Sequence, residues 1–312
     1  MTGKKPVLTI RDVSVTFGNG GRKTPALSQF SGEIFAGETV AIIGESGCGK
    51  SVAAHAILRL LPNEAEVSGS VFYKSSDLLH LSEREMQRIR GREIGLLFQS
   101  PDRSLNPVYT IKRQIMEPLR VHNGSNGYLK VVNTALRKAG FKNPEEISSL
   151  FPCMCSGGMN QRAAFAIVSA LNPEILIADE PTKGLDAARV TDIKECLSAR
   201  KKEEQTILLI THDISLARSL SERILVMYSG EVVESGPTEE ILDNPMHPYT
   251  IGLLNSLPSR GFCPIPGYSP PLSDLPSGCR FYPRCMKGCE NGCFKRPELM
   301  KKAGREVRCH QI

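Results

Sequence analysis

The 312 residues are 40% hydrophobic, 23% charged and 6% aromatic, ordinary globular proportions that exclude a disordered or collagen-like chain. A net charge of +6, from 39 basic and 33 acidic residues, is a mild excess that demands neither nucleic acid nor a membrane surface as partner. No stretch approaches the roughly 18 apolar residues of a membrane span, and MTGKKPVLTIRDV is not expected to act as a signal peptide.

In chain order, apolar–polar alternation over 7–17 predicts a half-buried strand, and GNGGRKTP (18–25) a turn. The apolar run Thr39–Ile43 predicts a short buried strand that enters a Gly-rich loop, and 51–61 then has helical apolar spacing. Short strands are expected at 69–73 and 94–98. Polar segments of helical periodicity occupy much of 105–150, weakest at His122–Tyr128. A helix is predicted over 159–171, a buried strand at Ile175–Ala178, a charged crossover helix at 189–204, and buried strands at Thr206–Ile210 and Ile224–Met227. This alternation predicts an α/β fold whose mostly parallel sheet is covered on both faces. Beyond Leu257 the character changes. Six prolines and three glycines crowd 258–278, a linker or irregular loop, and six of the ten cysteines lie between Cys263 and Cys309. The expected division is therefore a domain over 1–257 and an extension over 258–312.

Two segments carry chemistry. Gly44-Glu45-Ser46-Gly47-Cys48-Gly49-Lys50-Ser51 fits G-x-x-x-x-G-K-[ST] in full. Glycines let backbone N–H groups curl around phosphate oxygens, and the helix that follows points its positive end at the anion. Lys50 brings charge to the β/γ-phosphates of ATP, and the Ser51 hydroxyl reaches Mg²⁺. The bland alternative, a Gly-rich turn with a stray lysine, sits poorly with a strand before it and a helix after it. Further along, the apolar run 175–178 ends in Asp179-Glu180. Asp179 suits holding Mg²⁺, and Glu180 suits a general base that polarises the attacking water.

The intervening residues bear a resemblance. Ser156-Gly157-Gly158-Met159 followed by Gln161-Arg162 resembles the signature motif of ABC-transporter ATPases. Phe98-Gln99 resembles their Q-loop, Gly184-Leu185-Asp186 their D-loop, and Thr211-His212-Asp213 their switch histidine. Within that family, Phe98–Pro107 (FQSPDRSLNP), Asn244–Thr250 (NPMHPYT) and the Cys279–Cys285 segment CRFYPRC with Cys309-His310 resemble the dipeptide, oligopeptide and nickel importer branch. Departures are Cys155 where an apolar residue is usual, Asn160 where arginine is usual, and Thr182-Lys183-Gly184 for a commoner TTA. Cys153 and Cys155 read either as packing thiols or as a redox pair.

The resemblance implies a P-loop NTPase with a parallel core sheet, an antiparallel β subdomain, a helical subdomain over about 100–165 and a Cys-rich extension. It implies that Glu180, His212 and Gln99 serve hydrolysis and that Ser51, Gln99 and Asp179 hold Mg²⁺. Ser156, Gly157, Gly158, Met159 and Asp186 would act across a dimer of ATPase subunits, and Phe17 would stack on adenine unless it is a core residue of its strand. The implied partners are two transmembrane permease subunits, a second ATPase chain of similar sequence and, indirectly, an extracytoplasmic substrate-binding protein, with no nucleic acid. The implied place is the cytoplasmic face of the membrane. Peptides are the implied cargo, with nickel or a nickel chelate as the alternative. A soluble ABC protein acting on ribosomes or DNA is a further alternative, disfavoured by a single motif set and the lack of long coiled-coil insertions. Cys279, Cys285, Cys293 and Cys309 resemble the four-cysteine pattern that holds a [4Fe–4S] cluster in some members, with Cys289 as another third ligand. Zinc and unliganded thiols stay open, although intervals of five, seven and fifteen residues do not match zinc knuckles.

Overall fold

The computed structural model describes residues 5–19, 22–99, 104–123, 127–288 and 293–312. The chain forms two compact units. The first comprises Met1–Phe35, Thr39–His80 and Thr211–Ile312; the second comprises Ala36–Glu38 and Leu81–Ile210.

An antiparallel sheet of the first unit contains β1 (Pro6–Asn19), β2 (Arg22–Phe35), β4 (Ala65–Tyr73) and β5 (Ser76–Asp77), in the order β2-β1-β4-β5. Leu8, Ile10, Val13 and Val15 of β1 are buried. The phase of two breaks between Ile10 and Val13, where the register shifts and Asp12 takes φ 49. This bulge turns Val13 and Val15 back to the inner face. The expected turn over 18–25 is corrected here. Residues 22–25 are already strand, with Lys23 opposite Gly18 and Pro25 opposite Thr16. Pro25 is tolerated because β2 is an edge strand, where a missing N–H breaks no ladder.

The same unit holds β3 (Thr39–Ile43), β9 (Arg223–Tyr228), β10 (Glu231–Pro237), β11 (Met300–Lys302) and β12 (Arg305–Val307). β3 and β9 run parallel, Val40 opposite Arg223 and Ile43 opposite Val226. β10 pairs antiparallel with β9 and with β12, and β12 with β11. The extension therefore adds two strands of its own to a sheet. β10 is invisible to a hydropathy scan because Glu231 and Glu234 interrupt it, yet both are buried. Their charges are matched. Arg280 Nε and Arg296 Nε lie 3.2 and 2.5 Å from Glu231 Oε1. The Glu234 carboxylate accepts the backbone N–H groups of Met246 and His247 at 2.8 and 3.0 Å.

Aromatic packing and arginines hold the extension. Phe281 is buried edge-on against Tyr228, centroids 5.2 Å apart, and packs on Tyr249 at 5.5 Å. Arg308 donates to Val232 O and Pro297 O at 3.0 and 3.1 Å, and Arg305 to Glu240 O at 3.0 Å. Of 258–278, Pro258–Arg260 forms a 3-10 turn and Asp274 N closes a turn on Pro271 O at 2.9 Å; the rest is irregular, as the proline content predicts.

In the second unit β6 (Ile94–Leu97), β7 (Ile175–Asp179) and β8 (Thr206–Ile210) form a parallel set, and every residue in them is buried. The charged helix Ala187–Lys202 makes the crossover from β7 to β8, close to its expected span. The unit also holds helices Glu83–Ile89, Ile111–Asn123, Tyr128–Lys138, Pro144–Ser149 and Gly157–Ser169.

His247 gives the first unit a pH dependence. It caps helix Pro248–Asn255, its Nδ1 accepting from Tyr249 N at 3.0 Å, and burial lowers its pKa to about 3. Below the ordinary imidazole pKa of about 6.5 the unfolded chain takes up a proton that the folded chain refuses. Stability is then complete above that value and falls by about 1.4 kcal/mol per pH unit as pH drops toward the folded value. His247→Asn, which keeps a cap acceptor, is expected to flatten the decline in thermal midpoint between pH 6.5 and 4.5. Parallel profiles for the two proteins would contradict this.

Candidate functional site

β3 delivers the chain into the loop 44–51, and helix Lys50–Ile57 leaves it. Three glycines there have positive φ, Gly44 at 152, Gly47 at 81 and Gly49 at 103. A Cβ on Gly44 would lie 2.2 Å from Met227 O, and one on Gly49 2.6 Å from Ala26 O. Backbone is thus packed on backbone, which only glycine allows. Ser28 N donates to Gly230 O, and Gly230 N to Cys48 O at 2.8 Å, which fastens the loop to its neighbours. A Cβ on Gly47 meets nothing within 4 Å. Gly47→Ala is therefore expected to cost only backbone strain, about 1–2 kcal/mol. Gly49→Ala is expected to distort the loop and weaken ATP binding at least about tenfold more than Gly47→Ala does. Nucleotide titration of both variants checks the order.

Lys50 is 5% exposed, and its Nζ donates to Gly44 O and Glu45 O at 2.8 and 2.9 Å. The loop's own carbonyls thereby hold the ammonium. Gly49 at the helix N-cap provides no side-chain acceptor, so the helix start is left to its backbone amides. Cys48 is buried, which raises its thiol pKa, and its Sγ lies 3.9 Å from Lys50 Nζ. Ser46 is exposed and Ser51 half-buried. Thr211 N donates to Ile42 O at 3.1 Å, tying the segment that carries the exposed His212 to the strand that feeds the loop. Phe17 is half-buried on β1, opposite Thr24 and Ala65.

In the second unit, β7 ends in Asp179 and Glu180, 3% and 5% exposed. Glu180 has φ 47, a left-handed conformation that costs a non-glycine residue energy and ends the strand abruptly. Its N–H donates to Ile210 O at 2.8 Å, and its carbonyl accepts from Lys183 N at 3.1 Å. Leu97 lies opposite Ala178, so Gln99 leaves β6 at the same end of this set as the two acids leave β7.

Ser156 caps helix Gly157–Ser169, its Oγ accepting from Met159 N at 3.3 Å, with Gly157 exposed and Gly158 buried. Asp186 caps the crossover helix by accepting from Arg189 N at 3.0 Å. Sequence reasoning missed Arg189. Its Nε lies 3.2 Å from Asp186 Oδ2, and a Cβ on Gly158 would lie 2.6 Å from its Cδ. Arg189 thus joins the cap of one helix to the start of the other. Asn160, unusual in type, donates to Pro152 O at 3.1 Å and steadies the turn before the cap. Cys153 is exposed and Cys155 half-buried, and the Cys155 thiol has a raised pKa, from burial and from neighbouring Cys153.

Among the described residues no three His, Cys, Asp or Glu side chains are placed to hold a metal. Cys279 N donates to Cys293 O at 2.9 Å, and burial raises the Cys279 pKa. Cys289 and residues 100–103 of the FQSPDRSLNP segment lie outside the described residues.

The family model for ABC transporters matches residues 27–183, and that for the oligopeptide/dipeptide transporter C-terminal region matches 233–293. A Brucella ovis ATP-binding protein named for peptide import is 40% identical over 92% of this chain and 91% of its own length. The dipeptide transport ATP-binding protein DppD of Haemophilus influenzae is 38% identical, over 97% of this chain and 95% of that protein. Among solved structures, the dimeric post-hydrolysis form of the ATP-binding cassette MJ0796, bound to ADP and Pi, superposes with a TM-score of 0.67. It is 30% identical and covers 74% of this chain and 98% of that one.

Proposed function

The chain belongs to the ABC transporter family, and from that membership we propose that it is the ATP-hydrolysing subunit of an importer for dipeptides or oligopeptides. One observation carries the reading: a phosphate loop built around Lys50 shares its chain with a C-terminal region matched to the oligopeptide/dipeptide branch. In it, Lys50 and the loop amides take the phosphates, Glu180 accepts a proton from the attacking water, and His212 steadies the γ-phosphate. Mg²⁺ would neutralise charge on the β- and γ-phosphates. Ser51, Gln99 and Asp179 carry the hard oxygen donors it prefers. The Ser156-capped helix and Asp186 serve a second, similar ATPase chain, so that hydrolysis depends on dimer closure. No cluster chemistry enters the proposal.

Exposed apolar residues support the permease partners that the family implies. Val108, Val121, Leu129 and Met154 are 60–73% exposed, all within the helical stretch of the second unit. Apolar residues of this kind suit docking against helices of a membrane subunit. No helix among the described residues is long and apolar enough to cross a membrane, so attachment to the cytoplasmic face would come from those partners. Expressed alone, the chain is expected to stay out of the membrane fraction, and co-expressed with its permease subunits to enter it. Recovery in the same fraction under both conditions would contradict the proposal.

A further inference from the structure

The extension reaches the phosphate loop itself. Every polar group of Glu45, the first residue after Gly44, has a partner. Its N–H donates to Tyr249 OH at 2.9 Å, and its carbonyl accepts from Lys50 Nζ at 2.9 Å. Its carboxylate takes Arg284 Nη1 on both oxygens, at 3.1 and 2.9 Å, and accepts from Ser269 Oγ as well. Arg284, 239 residues away in sequence, is 8% exposed and firmly placed. Its Nε donates to Pro266 O at 3.1 Å, and its Nη1 also meets Ser269 Oγ at 3.0 Å. Tyr249 is fully buried against Tyr228 and Phe281, and burial raises its pKa well above the ordinary value, so its hydroxyl stays protonated.

We propose that Arg284 is a positioning residue for nucleotide: through Glu45 it sets the carbonyl that holds Lys50, and so couples the C-terminal extension to phosphate affinity. The contacts are direct at each step, Arg284 to the Glu45 carboxylate and the Glu45 carbonyl to the Lys50 ammonium. Charge-assisted bonds at low exposure are the strong kind, and they fix geometry as well as energy. A loop with one face open to solvent would sample many placements of Glu45. Here the tyrosine holds its N–H and the arginine its carboxylate. The residues that pin the extension elsewhere, such as Arg296 on Glu231 and on Gln29, touch none of these loop atoms in the contacts described. This inference rests on the ATP-binding reading above.

The test is titration of the full chain with a fluorescent N-methylanthraniloyl ATP and Mg²⁺, beside thermal unfolding. Arg284→Ala is expected to raise Kd about tenfold. Arg284→Lys, which keeps the charge on Glu45, is expected to stay within about threefold of the parent. Glu45→Gln should resemble Arg284→Ala, and the double variant should be little worse than either single one, because both remove the same link. Arg296→Ala should lower the thermal midpoint and leave Kd unchanged. If Arg284→Ala lowered the midpoint in the same way without moving Kd, the positioning role would be wrong while the ATP-binding reading stood. A parent chain that failed to bind the nucleotide would overturn both.

Discussion

Glu180→Gln is expected to reduce ATP turnover by about 10²- to 10⁴-fold while leaving nucleotide affinity within about threefold. Glutamine has the volume of glutamate and keeps an acceptor oxygen, but it cannot take a proton at neutral pH. Loss of turnover with retained binding would therefore isolate the proton-accepting role from any structural one. The structural role is real and lies in the main chain. The Glu180 N–H is tied to Ile210 O, and φ 47 is set by the way β7 ends. Both survive the substitution, so folding should survive too. Measured together, kcat from phosphate release and Kd from nucleotide titration check the prediction. A variant turning over within about fivefold of the parent would remove Glu180 from the chemistry.

Lys50→Ala is expected to have the largest effect on binding. The ammonium is nearly enclosed and is already held by two loop carbonyls, so little side-chain freedom remains to be lost when phosphate arrives. Losing a charge-assisted bond of this kind costs about 1.5–3 kcal/mol, or roughly 10- to 150-fold in Kd. The loop loses its internal clasp as well, since Gly44 O and Glu45 O lose a shared donor. Lys50→Arg should not rescue, because a planar guanidinium is too large for a position enclosed by loop backbone. Calorimetric titration with ATP and Mg²⁺ reads both variants. Parent-like affinity in Lys50→Ala would mean that the loop does not take the phosphates.

The parts of this protein that sequence exposed are those with a local cause. Val40–Ile43, Ile175–Ala178 and Ile207–Ile210 are unbroken apolar runs, and each lies in a fully buried strand. The loop 44–51 has glycines where side chains would strike Met227 O and Ala26 O, a constraint that fixed spacing reports faithfully. What stayed hidden depends on distant partners. β10 reads as polar until Arg280 and Arg296 are seen on Glu231. Arg22–Pro25 reads as a turn until its pairing with β1 is seen. Arg189 lies in a charged helix where nothing nearby marks it as the side chain over Gly158.

The extension teaches the same lesson in chemical terms. Its cysteines drew the eye because four thiols suggest a ligand set. The contacts that hold it in the structure come from arginines and aromatics, such as Arg280 and Arg296 on Glu231 and Phe281 on Tyr228. Tyr249 and Arg284 both lie in segments that the family resemblance singled out, yet no property of those segments alone connects them to Glu45. The signal that was available is modest: a carboxylate beside a phosphate-binding lysine needs a cation elsewhere, since it would otherwise repel the ligand.

The central claim is that ATP hydrolysis by this chain is coupled to peptide import. Its most direct test is the ATPase rate of the complete complex in lipid, with its substrate-binding protein present, under short peptides and under nickel in turn. The account predicts stimulation by peptide, absent in Glu180→Gln, and none by nickel. Stimulation by nickel alone would contradict the cargo, and a chain that neither assembled with permease subunits nor responded to either would contradict the transport role itself.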